Sequence, residues 1–173
     1  YNGFPAEALY HSTCAGSTEA AKDVWGNDVP YLKSVSCPYC AASPHYETAK
    51  ITVSSSDVCA AMGKLGLSIP AAKITEPGVL SVAQLSSTGR VKELAVGGED
   101  VRGVDFRGAL GLKSTKFTWA AKGDKIEFQV SGYGHGVGMC QYGADGAAKQ
   151  GKTASEILSF YYPGTSVTGI FEE

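Results

Sequence analysis

Apolar residues alternate with polar ones in two stretches of the chain. Val79–Leu85 and Arg90–Val96 each run at a period near two on either side of Ser86-Ser87-Thr88-Gly89, the signature of a β-hairpin. Phe117–Ala120 and Lys125–Val130 repeat the pattern across Lys122-Gly123-Asp124 and predict a second hairpin. Residues 4–13 alternate loosely into a strand end, Asp28–Val35 reads as extended, and Ile51-Thr52-Val53 is strand-like. Helical spacing is confined to short segments. These are Thr18–Trp25 stopped by Gly26, Asp57–Leu65 capped by Ser56 and ended by Gly66, and Val101–Leu110 with Leu110 and Leu112 turned inward. Two more follow: Gln141–Gln150 closed by Gly151, and Ala154–Tyr161 opened by the capping box Thr153-Ala154-Ser155-Glu156 and stopped by Pro163-Gly164. The pattern predicts a single α+β domain over residues 1–173, with antiparallel sheets and short helices.

One segment fits neither period. Gly132, Gly134, Gly136 and Gly138 occupy every second position around Tyr133, His135 and Val137, and Met139-Cys140-Gln141-Tyr142-Gly143-Ala144 follows. Glycines so placed let the backbone take left-handed dihedrals or let another group approach closely. That group can be a ligand or, at a tight crossing, the protein's own chain. The spacing excludes two nucleotide motifs: the third glycine of a G-x-G-x-x-G fingerprint would fall on Val137 or Met139, and no Gly-Lys-Ser/Thr closes a phosphate loop.

Composition narrows the function. With 173 residues the chain can bury a real core. Net charge is −2 and no basic run is present, which argues against nucleic acid or an anionic membrane as the main partner. No apolar run approaches the ~20 residues that span a bilayer. Tyr1-Asn2-Gly3-Phe4-Pro5 has neither a charged nor an apolar region of the kind a signal peptide carries.

Five cysteines stand at 14, 37, 40, 59 and 140. A C-x-x-C turn supplies two zinc ligands with the right bite, so Cys37 and Cys40 with Cys14 and His45 form a candidate Cys3His site that would order the apolar-poor loop 36–47. His11 is an alternative to His45. A disulfide from Cys14 to Cys37 or Cys40, a redox pair at 37 and 40, and a set of unliganded buried thiols are the competing readings. Cys59 lies among Val58, Met62 and Leu65 and is expected in the core, and Cys140 is expected as a packed thiol. No H-E-x-x-H occurs, and a thiolate-rich site is usually closed, so the metal is expected to be structural.

Three longer motifs carry a family resemblance. Tyr10-His11-Ser12-Thr13-Cys14-Ala15-Gly16-Ser17-Thr18-Glu19 with Val24-Trp25-Gly26, then Pro30-Tyr31-Leu32-Lys33-Ser34-Val35, then Gly134–Ala144 with Ile157-Leu158 and Tyr161-Tyr162-Pro163-Gly164, together resemble the stage II sporulation protein D family. That family includes the amidase-enhancer proteins. The resemblance covers nearly the whole chain. It implies an extracytoplasmic lytic transglycosylase that cleaves denuded peptidoglycan strands between N-acetylmuramic acid and N-acetylglucosamine and leaves a 1,6-anhydro sugar. It also implies anchoring or secretion through a further segment, a cell-wall amidase and a membrane anchor protein as partners, and a bound zinc, as in the family's cysteine-bearing members.

By this resemblance His11, Ser12, Thr13, Tyr133, His135 and Gln141 line the glycan cleft. The family's catalytic glutamate lies upstream of Y-H-S in a segment that residues 1–9 do not match. Glu7 echoes P-x-E-A-L only superficially, so the catalytic residue is not assigned and residues 1–173 alone are expected to be inactive. Cys140 stands where the motif has serine. A non-catalytic module that binds glycan or activates an amidase, and a zinc-stabilised scaffold with no glycan role, are the alternatives.

Overall fold

Both period-two stretches are antiparallel hairpins in the computed structural model, which describes residues 1–169. In chain order the elements are β1 (Tyr10–His11), α1 (Ala21–Trp25), β2 (Ala49–Ser54), α2 (Ser55–Gly63), β3 (Leu80–Leu85), β4 (Val91–Val96) and β5 (Glu99–Arg102). Then come α3 (Gly103–Leu110), β6 (Phe117–Lys122), β7 (Lys125–Val130), β8 (Met139–Cys140), α4 (Gln141–Lys149) and α5 (Ala154–Tyr161). The expected α+β architecture of antiparallel sheets and short helices is present, with two three-stranded antiparallel sheets ordered β2-β7-β6 and β3-β4-β5. One small pair, β1 with β8, is parallel.

Two compact units divide the described residues. The first combines Tyr1–Glu47 with the chain from Tyr133 onward; the second is Thr48–Gly132. The second unit holds both three-stranded sheets, α2 and α3. Its core packs Val58, Met62, Leu94, Val96 and Ile126 around Phe106, Phe117 and Phe128. Those three rings meet at centroid distances of 5.7–6.0 Å, in stacked and edge-on geometries. Cys59 is half-buried against this core, as its helical neighbours predict.

Element boundaries moved where polar side chains decided them. Helix α2 starts earlier than expected because Ser54, not Ser56, is the cap: its Oγ accepts from the Asp57 N–H at 3.1 Å. Helix α1 starts only at Ala21, because Thr18 is engaged with the extended segment. Its N–H donates to the Val35 carbonyl, and its Oγ1 accepts from the Val35 N–H. Strand β5 lies where the start of a longer helix was expected. Gly97 and Gly98 both have positive φ, 63° and 93°, and close a two-residue hairpin that turns β4 into β5. The capping box at Thr153 and Glu156 is formed in both directions.

The first unit has little regular structure to bury. Its core consists of Cys14, Cys37, Cys40 and Cys140 with Ala21, Leu32, Val137, Ala147, Ile157, Tyr161 and Tyr162. No helix among the described residues is long and apolar enough to cross a membrane.

Candidate functional site

The glycine-rich segment is a loop crossing against the protein's own β1. Gly134 and Gly138 have φ of 109° and 71°. A Cβ on Gly134 would stand 2.8 Å from the His11 Cβ, and one on Gly138 would land on the Leu9 carbonyl. The close approach that these glycines permit is therefore intramolecular. It sets the register of the parallel pair, Tyr10 with Met139 and His11 with Cys140, and Met139 N–H donates to Leu9 O at 3.0 Å. Thr13 and Tyr133 exchange backbone bonds at 3.0 and 2.8 Å just beyond.

That register brings Cys140 to Cys14 across 126 residues of chain. The sulfurs of Cys14, Cys37, Cys40 and Cys140 all lie within 4.8 Å of one another, and all four residues are buried. Cys14 and Cys40 Sγ are 3.4 Å apart. A tetrahedron with metal–sulfur bonds of ~2.3 Å has sulfur–sulfur edges of about 3.8 Å, so four thiolates so placed suit one tetrahedral ion. None of the five cysteines is disulfide-bonded.

Around the sulfurs stand hydrogen-bond donors of the kind that support thiolate. Cys140 Sγ accepts from the backbone N–H of Cys14 and of Gly143, each at 3.3 Å, the second as the N-cap of α4. Tyr161 Oη lies 3.0 Å from Cys37 Sγ, where its hydroxyl can donate. Four thiols this close compete for protons. Hydrogen bonds with Cys140, Cys37 and Cys40, together with burial, push Cys14 far above the ordinary thiol range. Cys37 is lowered to about 7, first by its bond with Cys14 and then by that with Cys140. Burial raises the Tyr161 phenol, and its contact with Cys37 adds to the rise.

The expected fourth ligand, His45, is not in this set; Cys140 takes the place. The His45 ring packs edge-on against Tyr133 with centroids 5.0 Å apart. Short spacing from C-x-x-C favoured His45, whereas the β1–β8 register supplies a ligand from the far end of the sequence. Cys140 is buried, as a packed thiol would be, but it packs against three other thiols.

The six expected glycan contacts separate by burial. Ser12 and His135 are half-buried, and Tyr133 and Gln141 are exposed. Thr13 is fully buried, its Oγ1 2.6 Å from Ser43 Oγ, so it ties the 36–47 loop down rather than facing outward. His11 is 4% exposed and meets the His135 ring edge-on at 5.7 Å. Trp25, at the end of α1, lies on the other contact of His135 at 5.3 Å. In the sequence Trp25 carries no signal beyond its motif; its position beside His135 follows from Glu19 N–H bonding to Gly136 O, which anchors the approach to α1. Glu19 itself is the one buried carboxyl residue among the described residues.

No protein-family model matches the chain. The chain is similar to stage II sporulation protein D of Bacillus subtilis (strain 168), with 40% identity over 171 residues, covering 97% of this chain and 47% of that protein. The protein of the same name from Bacillus amyloliquefaciens is 35% identical over 171 residues, with 97% and 46% covered. An amidase enhancer of Bacillus subtilis (strain 168) is 28% identical over 216 aligned residues, with 97% and 30% covered. These relatives support the family resemblance carried by the motifs, and the chain spans about half or less of their length.

Proposed function

We propose that this chain forms part of a sporulation protein D-type lytic transglycosylase acting on denuded peptidoglycan glycan strands outside the cytoplasm. The observation that carries the reading is the similarity over 97% of the chain to two proteins of that name. Its face of Ser12, Tyr133, His135 and Gln141 is also rich in hydroxyl, imidazole and amide groups suited to a neutral polyol. The amidase enhancer among the relatives supports a cell-wall amidase as partner, and a membrane anchor protein is a further expectation from the family.

In this reaction one carboxyl group protonates the glycosidic oxygen as the bond to C1 of N-acetylmuramic acid breaks. The same carboxylate takes the proton of the muramic 6-hydroxyl as that oxygen attacks C1, so the 1,6-anhydro product forms without water. By the family resemblance the acid belongs to a segment upstream of Tyr10, and residues 1–173 would supply binding and orientation.

The four-sulfur cluster fits zinc: four buried thiolates, no open position and supporting donors describe a closed site. Cys14, Cys37, Cys40 and Cys140 would hold the ion, which would order the unit without entering the reaction. Mass spectrometry of digests of denuded glycan tests the activity, using residues 1–173 alone and any natural polypeptide that extends them. Anhydro-ended products from the extended form are expected; their absence from both forms refutes the enzyme reading and leaves the glycan-binding or amidase-activating module.

A further inference from the structure

Trp25 is exposed at 46%, so a large part of the indole is open to solvent. Its backbone is held. Gly26, left-handed at φ 84°, closes α1 by donating to Lys22 O at 3.0 Å, and Ala21 N–H donates to Leu32 O at 2.9 Å. Its ring is held too, by the contact with His135 at a 46° tilt.

His135 is itself pinned. The Val137 N–H donates to His135 Nδ1 at 3.1 Å, so that nitrogen carries no proton and Nε2 does. The carbonyl of the same Val137 accepts from His11 Nδ1 at 3.1 Å, so His11 carries its proton on Nδ1. One buried residue, Val137, thus fixes both imidazoles in complementary tautomers through its two flanking peptide groups, and His135 in turn packs against the indole.

We propose that Trp25 is a stacking platform for one pyranose ring of a glycan strand, and so a specificity-determining residue of the site. The inference rests on the glycan reading above and names the residue that would sense the sugar ring. The apolar face of a pyranose, made of C–H groups, matches a fixed indole face. The sugar's hydroxyl and acetamido edges match the neutral polar groups of Ser12, Tyr133 and Gln141. A peptide stem would instead call for charged partners, and the named polar residues of this face carry no formal charge.

The chain has two tryptophans, so Trp119→Phe leaves Trp25 as the single reporter. Chitotetraose, the tetramer of N-acetylglucosamine, is titrated against this protein by calorimetry and by indole emission, with a free stem tetrapeptide in parallel. Binding of chitotetraose with a blue shift of Trp25 is expected. Affinity should fall about tenfold or more in Trp25→Leu and less in Trp25→Phe, with each variant's melting curve checking that it folds. Calorimetric binding with an unmoved emission, or with Leu and Trp equal, overturns the platform but leaves the glycan reading standing. Binding of the tetrapeptide and not of chitotetraose overturns both.

Discussion

Replacing Cys140 by serine separates the proposed metal binding from everything else that residue does. Cys140 caps α4, and serine is among the best N-cap residues, so the bond to Gly143 N–H is kept. Serine also stands at this place in the resembled motif, and the side chain loses almost no volume. What disappears is a sulfur within 4.8 Å of three others. A structural zinc site contributes about 10–16 kcal/mol of apparent folding free energy, so an equal share for one of four bonds is about 3 kcal/mol, or a fall in Tm of roughly 10 °C for a chain this size. The companion variant, His45→Ala, removes the ligand that spacing alone favours but that the structure packs against Tyr133. Metal content is measured by plasma mass spectrometry after gel filtration in reductant, and Tm by calorimetry. The expected result is one zinc per chain in the parent and in His45→Ala, and less than stoichiometric metal with the lower Tm in Cys140→Ser. Loss of metal from His45→Ala with retention in Cys140→Ser would refute the four-cysteine geometry. Iron in place of zinc would keep the ligand set and change the ion.

Four further outcomes are expected. Tyr161→Phe removes the hydroxyl at Cys37 Sγ and should weaken metal binding about 10- to 100-fold in a chelator competition while the chain stays folded. Gly143→Ala places a Cβ on Tyr161 Oη and 2.6 Å from Cys37 Sγ, so it should destabilise by about 1–3 kcal/mol in urea. Gly108→Ala in α3, where a Cβ meets nothing within 4 Å, should instead stabilise by about 0.5–1 kcal/mol. Glu156 is held down to about 2 by the Thr153 backbone N–H first, then by Lys152 and the Thr153 hydroxyl. Its folded value lies below the ordinary ~4.3, so its contribution is present above that pH and is lost as pH falls toward about 2. The stability difference between the parent and Glu156→Gln, read from urea midpoints, should shrink over that window; a difference that is constant with pH contradicts the assignment.

Local chemistry was legible in the sequence, and long-range pairing was not. The capping box at Thr153, both hairpins and the core position of Cys59 follow from patterns a few residues long. Strand β5 carried a readable signal, since Gly97-Gly98 after an alternating strand is a two-residue turn, but helical spacing from Val101 onward outweighed it. Cys140 and Thr13 depend on the β1–β8 crossing, which joins residues more than 120 apart, and no periodicity reports such a pair. The one available hint was that glycines at every second position demand a close neighbour; the sequence does not say that the neighbour is Leu9–His11.

The same crossing couples the sulfur cluster to the polar face. Cys14 lies three residues beyond His11, and Cys140 three beyond Val137, whose peptide groups hold both His11 and His135. His11 also sits opposite Cys140 in the parallel pair. If the cluster holds an ion, as proposed above, withdrawing it would leave four buried thiols and remove an anchor shared by the two chain segments that carry the imidazoles. Chelation under reductant should therefore shift the imidazole NMR signals of both His11 and His135. The Trp119 indole packs against Phe117 and serves as the unmoved reference. If both histidines keep their signals after the metal is gone, hydrogen bonding at Val137 alone holds the face, and the cluster has no part in shaping it.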